Sequence, residues 1–84
     1  LASVKPIPLY EQTAIEFKLP ATGEVSVDLL DVLGRSVTTL AVRRMFHAGY
    51  HAISWSSAGL PSGMYLARLR YGNEMKILRL SVLK

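Results

Sequence analysis

Ser57-Ala58-Gly59-Leu60-Pro61-Ser62-Gly63-Met64-Tyr65-Leu66-Ala67-Arg68-Leu69-Arg70-Tyr71 decides how this chain folds. Its first half is dense in glycine, proline and serine, the residues of a tight turn. From Tyr65 onward the odd positions Tyr65, Leu69 and Tyr71 are apolar, with small Ala67 between them, while Arg68 and Arg70 take even positions. Alternation with period two after a turn signal predicts a half-buried β-strand over Met64–Tyr71.

The same grammar extends in both directions. Thr13–Leu19 places Ile15, Phe17 and Leu19 on one face and Glu16 and Lys18 on the other. After the turn Pro20-Ala21-Thr22-Gly23, the segment Glu24–Leu30 turns Val25, Val27 and Leu29 inward and Ser26 and Asp28 outward. Asp31-Val32-Leu33-Gly34-Arg35 reverses the chain, since Gly34 accepts positive φ without a steric penalty. Ser36–Val42 is a less regular strand whose threonines interrupt the alternation, predicting a bulge or a shift between sheets. Arg43–Gly49 reads as a longer loop, and Tyr50–Ser56 as a strand with Ile53 and Trp55 on one face. Downstream, Gly72-Asn73-Glu74 predicts a hairpin turn into a last strand from about Met75 to Leu83, with Leu78, Leu80 and Val82 toward the core. A seventh strand over Val4–Leu9 belongs at a sheet edge, because Pro6 and Pro8 cannot donate to a ladder.

No segment carries helical periodicity. The expectation is an all-β domain, an Ig-like antiparallel β-sandwich of about seven strands, with an open barrel as the alternative. Its expected core is Ile15, Phe17, Val25, Val27, Leu29, Ile53, Trp55, Tyr65, Leu69, Leu78, Leu80 and Val82.

Size and composition narrow the function. Eighty-four residues, half of them hydrophobic, make one domain with a single core, 1–84. The chain has no cysteine, which removes disulfides and thiolate chemistry. Its net charge is +4, but the ten Lys and Arg are spread from Lys5 to Lys84 and only Arg43-Arg44 are adjacent. With no basic run or reader motif, no nucleic-acid partner is expected. No apolar run approaches the roughly 18 residues of a membrane helix. Leu1-Ala2-Ser3-Val4 has neither a starting Met nor a signal-peptide layout, which predicts a piece of a longer protein.

Candidate chemistry is sparse. His47 and His51 straddle a loop-to-strand junction with no cysteine to complete a zinc set, so no metal is expected. Gly59–Gly63 is not a Gly-x-Ser-x-Gly nucleophile elbow, and no phosphate-binding loop is present. Asp31 reads as a turn-former rather than a catalytic acid. No catalytic residue and no cofactor are therefore expected. Gly34, Gly49, Gly59 and Gly63 serve turn geometry.

Taken in order, the segments resemble a known family. Pro6-Ile7-Pro8-Leu9 stands where that family has Pro-Asn-Pro-Phe, followed by Thr13–Pro20 and Gly23–Val27. Asp31-Val32-Leu33-Gly34-Arg35 is similar to its Asp-x-x-Gly-Arg turn. Ala48-Gly49-Tyr50-His51 with Ile53-Ser54-Trp55 resembles its Gly-x-His-x-x-x-Trp segment, and Gly59–Tyr65 its Gly-Leu-x-Ser-Gly-x-Tyr element. The apolar tail ends on basic Lys84. The chain thus resembles the C-terminal sorting domains of the type IX secretion system, type A. The Ig-like pattern is shared with the flagellar hook-capping proteins.

The resemblance implies a non-catalytic export signal at the end of an N-terminal cargo that crosses the periplasm of a Gram-negative bacterium. Its implied partners are the outer-membrane translocon and a sortase-like surface peptidase that removes the domain. The residues expected to face the translocon are Asp31, Gly34, Arg35, Gly49, Gly63, Tyr65, Arg79 and Lys84. An exposed terminal strand with Lys76, Arg79 and Lys84 could pair with a partner strand or form an edge-strand homodimer. The competing expectation is an Ig-like structural or carbohydrate-adhesive module of a secreted enzyme, with Tyr10, Phe46 and Tyr50 as the sugar-stacking aromatics.

Overall fold

A computed structural model describes residues 1–9 and 12–82, with Ile7, Pro8 and Leu9 described by their backbone alone. Alternation is realised as seven strands: β1 (Ala2–Leu9), β2 (Gln12–Leu19), β3 (Gly23–Leu30), β4 (Ser36–Phe46), β5 (Gly49–Ser56), β6 (Gly63–Tyr71) and β7 (Glu74–Val82). Among the described residues there is no helix. The strands form a three-stranded sheet, β1-β2-β5, and a four-stranded sheet, β4-β3-β6-β7, with every pairing antiparallel.

This is an Ig-like sandwich, not an open barrel. In the immunoglobulin constant arrangement the fourth strand pairs with the fifth. Here β4 pairs with β3, because the short Asp31–Arg35 turn closes a hairpin between them. The proline-bearing β1 lies at one sheet edge, and β7 at an edge of the other.

Inward positions match the expected alternation. Ile15, Phe17, Val25, Val27, Leu29 and Leu69 are essentially inaccessible, and Ile53, Tyr65, Leu80 and Val82 are buried with them. Burying each large side chain contributes about 1.5–3 kcal/mol, which makes this layer the main source of stability. Trp55 and Leu78 pack against the core but are only partly buried. Both lie on strands at or near a sheet border, where the second layer covers them incompletely.

Residues 43–46 correct the sequence reading. The expected loop from Arg43 is strand, and β4 runs to Phe46. Eleven residues of β4 face eight of β3, and the register slips three times, once each between Val25 and Val27, Val27 and Asp28, and Leu29 and Leu30. Each slip inserts one extra residue, so period two is lost although the ladder continues. At one bulge Arg43 takes φ 44°, and its N–H donates to Ser26 Oγ at 2.9 Å. Phe46 then re-enters the core edge-on to Phe17, with ring centroids 5.4 Å apart. A buried Phe46 cannot stack on a sugar.

Candidate functional site

Antiparallel pairing sorts the connections to two ends. The Asp31–Arg35 turn, the 57–62 loop, the start of β6 and the last described residue, Val82, share one end, called the Asp31 end. The Pro20–Thr22 turn, His47-Ala48 and Gly72-Asn73 share the other, the Gly49 end.

At the Asp31 end, one carboxylate organises a five-residue reversal. Asp31 Oδ1 accepts N–H bonds from Leu33 and Arg35, both at 2.9 Å. Asp31 Oδ2 accepts from Arg35 Nε at 2.8 Å. The backbone closes twice more, Gly34 N to Asp31 O at 3.0 Å and Asp31 N to Arg35 O at 2.9 Å. Gly34 sits at φ 84°, a conformation that costs an L-residue about 1–2 kcal/mol. The Arg35 backbone N–H is the chief cause holding the Asp31 carboxyl below the ordinary aspartate range; partial desolvation opposes it, and the Arg35 guanidinium and Leu33 N–H assist.

The geometry frees the turn's tip. Val32 is 61% and Leu33 74% exposed, beside an exposed Arg35. These two apolar residues were not among the expected recognition residues. The signal was present: two adjacent aliphatics inside a turn cannot both join an alternating strand.

Beside it, the 57–62 loop is fixed from β6. Leu60 N–H donates to Ser57 O at 3.0 Å, and Tyr65 donates its hydroxyl to Pro61 O at 2.7 Å. A tyrosine at the start of the sixth strand, bonded to backbone just upstream, is the tyrosine corner of Ig-like sandwiches. Tyr65 is buried, so its contribution to this end is to hold the loop's shape.

The expected recognition residues divide. Asp31, Gly34, Arg35, Gly63 and Tyr65 gather at the Asp31 end, whereas Gly49 opens β5 at the opposite end. Arg79 is exposed on the outer face of β7, opposite Leu66. Lys84 lies outside the described residues, as does Tyr10. Of the three aromatics proposed to meet sugar, Tyr50 is exposed on the outer face of β5, with the Lys18 ammonium 5.1 Å from its ring.

The histidines form a packing group. His51 Nε2 lies 2.6 Å from His47 O, and its ring stacks at a tilt on Phe46. Among the described residues no three His, Asp or Glu side chains come together as a metal set.

At the Asp31 end a hydrogen-bonded turn with an exposed apolar tip thus stands beside a loop pinned by Tyr65. A family model described as the secretion system C-terminal sorting domain matches residues 3–83. The chain belongs to the type IX secretion sorting-domain family. Among curated proteins, none matches it significantly. Of the segments that carried the resemblance, most lie in strands β1, β2, β3 and β5, whereas Asp31–Arg35 and the first part of Gly59–Tyr65 are connections of the sandwich. Two of them, Asp31–Arg35 and Gly59–Tyr65, are brought to one end although they lie more than twenty residues apart in sequence.

Proposed function

We propose that this domain is a non-catalytic C-terminal export signal whose Asp31 end is read by the outer-membrane translocon. The observation that carries the reading is the family match over nearly the whole chain, together with the gathering of two of its recurrent segments at one exposed end. Val32 and Leu33 supply the apolar contact, Arg35 the charge, and Asp31, Gly34, Gly63 and Tyr65 the shape. Export then carries an N-terminal cargo through the periplasm to the surface of a Gram-negative bacterium, where a sortase-like peptidase removes the domain. The chemistry belongs to that peptidase. The adhesive reading has lost Phe46 from its stacking platform, and nothing in the geometry favours it.

The test is a fusion of this chain to a periplasmic fluorescent protein in a type IX-competent bacterium. Fluorescence should reach the surface or medium and stay inside in a translocon mutant. Replacing Val32 and Leu33 together by serine should retain a folded fusion in the periplasm. Export of that variant at the parental level would sink the assignment of the Asp31 end. Periplasmic retention of the folded parental fusion would sink the sorting role itself.

A further inference from the structure

The outer face of the four-stranded sheet carries a pattern that neither the core nor the Asp31 end uses. Outward residues of β6 and β7 pair as Leu66 with Arg79, Arg68 with Ile77, and Arg70 with Met75, with Met64 opposite Ser81. Each guanidinium therefore lies across from an apolar side chain. Met64 is 45%, Met75 56% and Ile77 54% exposed. The outward pairs of β2 and β5 are different: Glu16 with Ala52, Ala14 with Ser54, Gln12 with Ser56, and Lys18 with Tyr50.

Charge on this face is unbalanced. Arg68 is engaged, Nη2 donating to Asp28 Oδ2 at 3.0 Å, while Thr39 Oγ1 donates to Asp28 Oδ1 at 3.1 Å. Arg43, Arg70 and Arg79 make no ion pair among the described residues. Arg43 and Arg70 flank Ser26 in an open groove of about 610 Å³. The bulge that gives Arg43 its positive φ, fixed by the bond to Ser26 Oγ, sets where that side chain leaves the sheet.

We propose that this face docks a protein surface bearing Asp or Glu interleaved with apolar side chains. Arginine and methionine are enriched at protein interfaces, and the planar guanidinium matches carboxylate geometry. Carboxylates of the partner meet Arg43, Arg70 and Arg79, and its apolar groups cover Met64, Met75 and Ile77. A lipid surface fits less well. The three guanidiniums without an ion pair are interleaved with exposed Met64, Met75 and Ile77 instead of forming the dense basic cluster that holds an anionic bilayer. A rigid sheet face also cannot sink its apolar side chains the 5–10 Å or so that interfacial insertion takes.

The test places a photo-crosslinking phenylalanine derivative at Ile77, and separately at Ala52 on the opposite outer face, in the cargo fusion in type IX-competent cells. The inference rests on the sorting reading only for the choice of cell, and crosslinks are scored whether or not the cargo is exported. Failure of export therefore counts against the sorting role alone. The expected result is a discrete protein adduct from Ile77 and none from Ala52, with Asp or Glu in the crosslinked partner peptide. Arg70→Glu with Arg79→Glu should lower the adduct by about tenfold or more. Arg70→Gln with Arg79→Gln serves as a milder pair should the reversal disturb folding, which a thermal melt reports. Equal adducts from both positions, no adduct from Ile77, or a partner peptide without acidic residues would each overturn the inference. So would adducts to lipid alone, accompanied by Arg70- and Arg79-dependent binding to vesicles containing phosphatidylglycerol.

Discussion

At the Asp31 end, three buried polar atoms have no hydrogen-bond partner among the described residues, Thr13 Oγ1, Trp55 Nε1 and Ser57 Oγ, and a fourth, Arg68 Nε, lies in the middle of β6. Thr13 and Trp55 face each other across β2 and β5, and Ser57 follows two residues on. The Gly49 end contains none among the described residues. There the Tyr71 hydroxyl donates to Ala21 O at 2.8 Å, and the Tyr71 ring covers Gly23 so closely that a Cβ would stand 2.7 Å from Cε1. One end closes its polar groups and packs its glycine, whereas the other leaves buried donors and acceptors unpaired at a cost of about 1–3 kcal/mol each. Departures from full polar satisfaction concentrate where a surface serves something besides stability. Two of the recurrent family segments, Asp31–Arg35 and Gly59–Tyr65, lie at that same end.

The two ends are each anchored from β6 by a tyrosine, so the sharpest way to break the comparison is to remove both anchors. Tyr65 is buried and Tyr71 half-buried. Tyr65→Ala should therefore cost about 3–5 kcal/mol, the range for truncating a buried aromatic. Tyr71→Ala should cost roughly half as much, because part of its ring already meets solvent. For a domain whose whole stability is of order 5–15 kcal/mol, the first loss approaches unfolding. Urea titration followed by Trp55 fluorescence measures both. Equal losses would show that the ends are anchored alike and remove the asymmetry.

The next test has the opposite sign. Thr13→Val replaces an unpaired buried hydroxyl by a methyl of similar shape, so it should stabilise the fold by about 1 kcal/mol. The readout is an upward shift of the urea midpoint with unchanged slope. A stabilised variant that exports poorly would tie the unpaired groups to recognition. A destabilised one would show that the hydroxyl already has its partner, and the contrast between the ends would narrow.

Much of this architecture was readable in the sequence because it rests on period-two alternation. Ile15, Phe17 and Leu19, or Val25, Val27 and Leu29, declare their face directly, and Pro6 and Pro8 declare an edge. What alternation does not encode is where an insertion absorbs a residue. Three bulges hid the end of β4, so Arg43-Arg44-Met45 looked like loop and Phe46 like a surface aromatic. Sheet order was equally hidden. Gly49 and Gly63 each open a strand after a turn, and only the pairing sends them to opposite ends. The site was legible as a set of turns but not as a surface. The exposure of Val32 and Leu33 depends on how Asp31 folds the five-residue reversal, which no single residue announces.

The smallest expected effect separates the ends by pH. The folded Asp31 carboxyl is held below its ordinary range, chiefly by the Arg35 N–H. A depressed carboxylate adds stability that is complete above its unfolded value, near 3.9 for aspartate, and that disappears as pH falls through the lower folded value. Acidification should therefore loosen the Asp31 turn, while the latch of Tyr71 on Ala21 O at the other end involves no carboxylate. The turn is solvent-facing and its ion pair screened, so the global stability change is slight and the local signal is the one to follow. Amide chemical shifts of Leu33 and Arg35, recorded between roughly pH 2 and 6, should titrate together with a midpoint below the ordinary aspartate value. Asp31→Asn should abolish that titration, leaving the Tyr71 ring signals unchanged. A midpoint at or above the ordinary value would mean that the Arg35 N–H does not govern the carboxylate, and the Asp31 end would lose the hydrogen-bonded frame on which its display of Val32 and Leu33 depends.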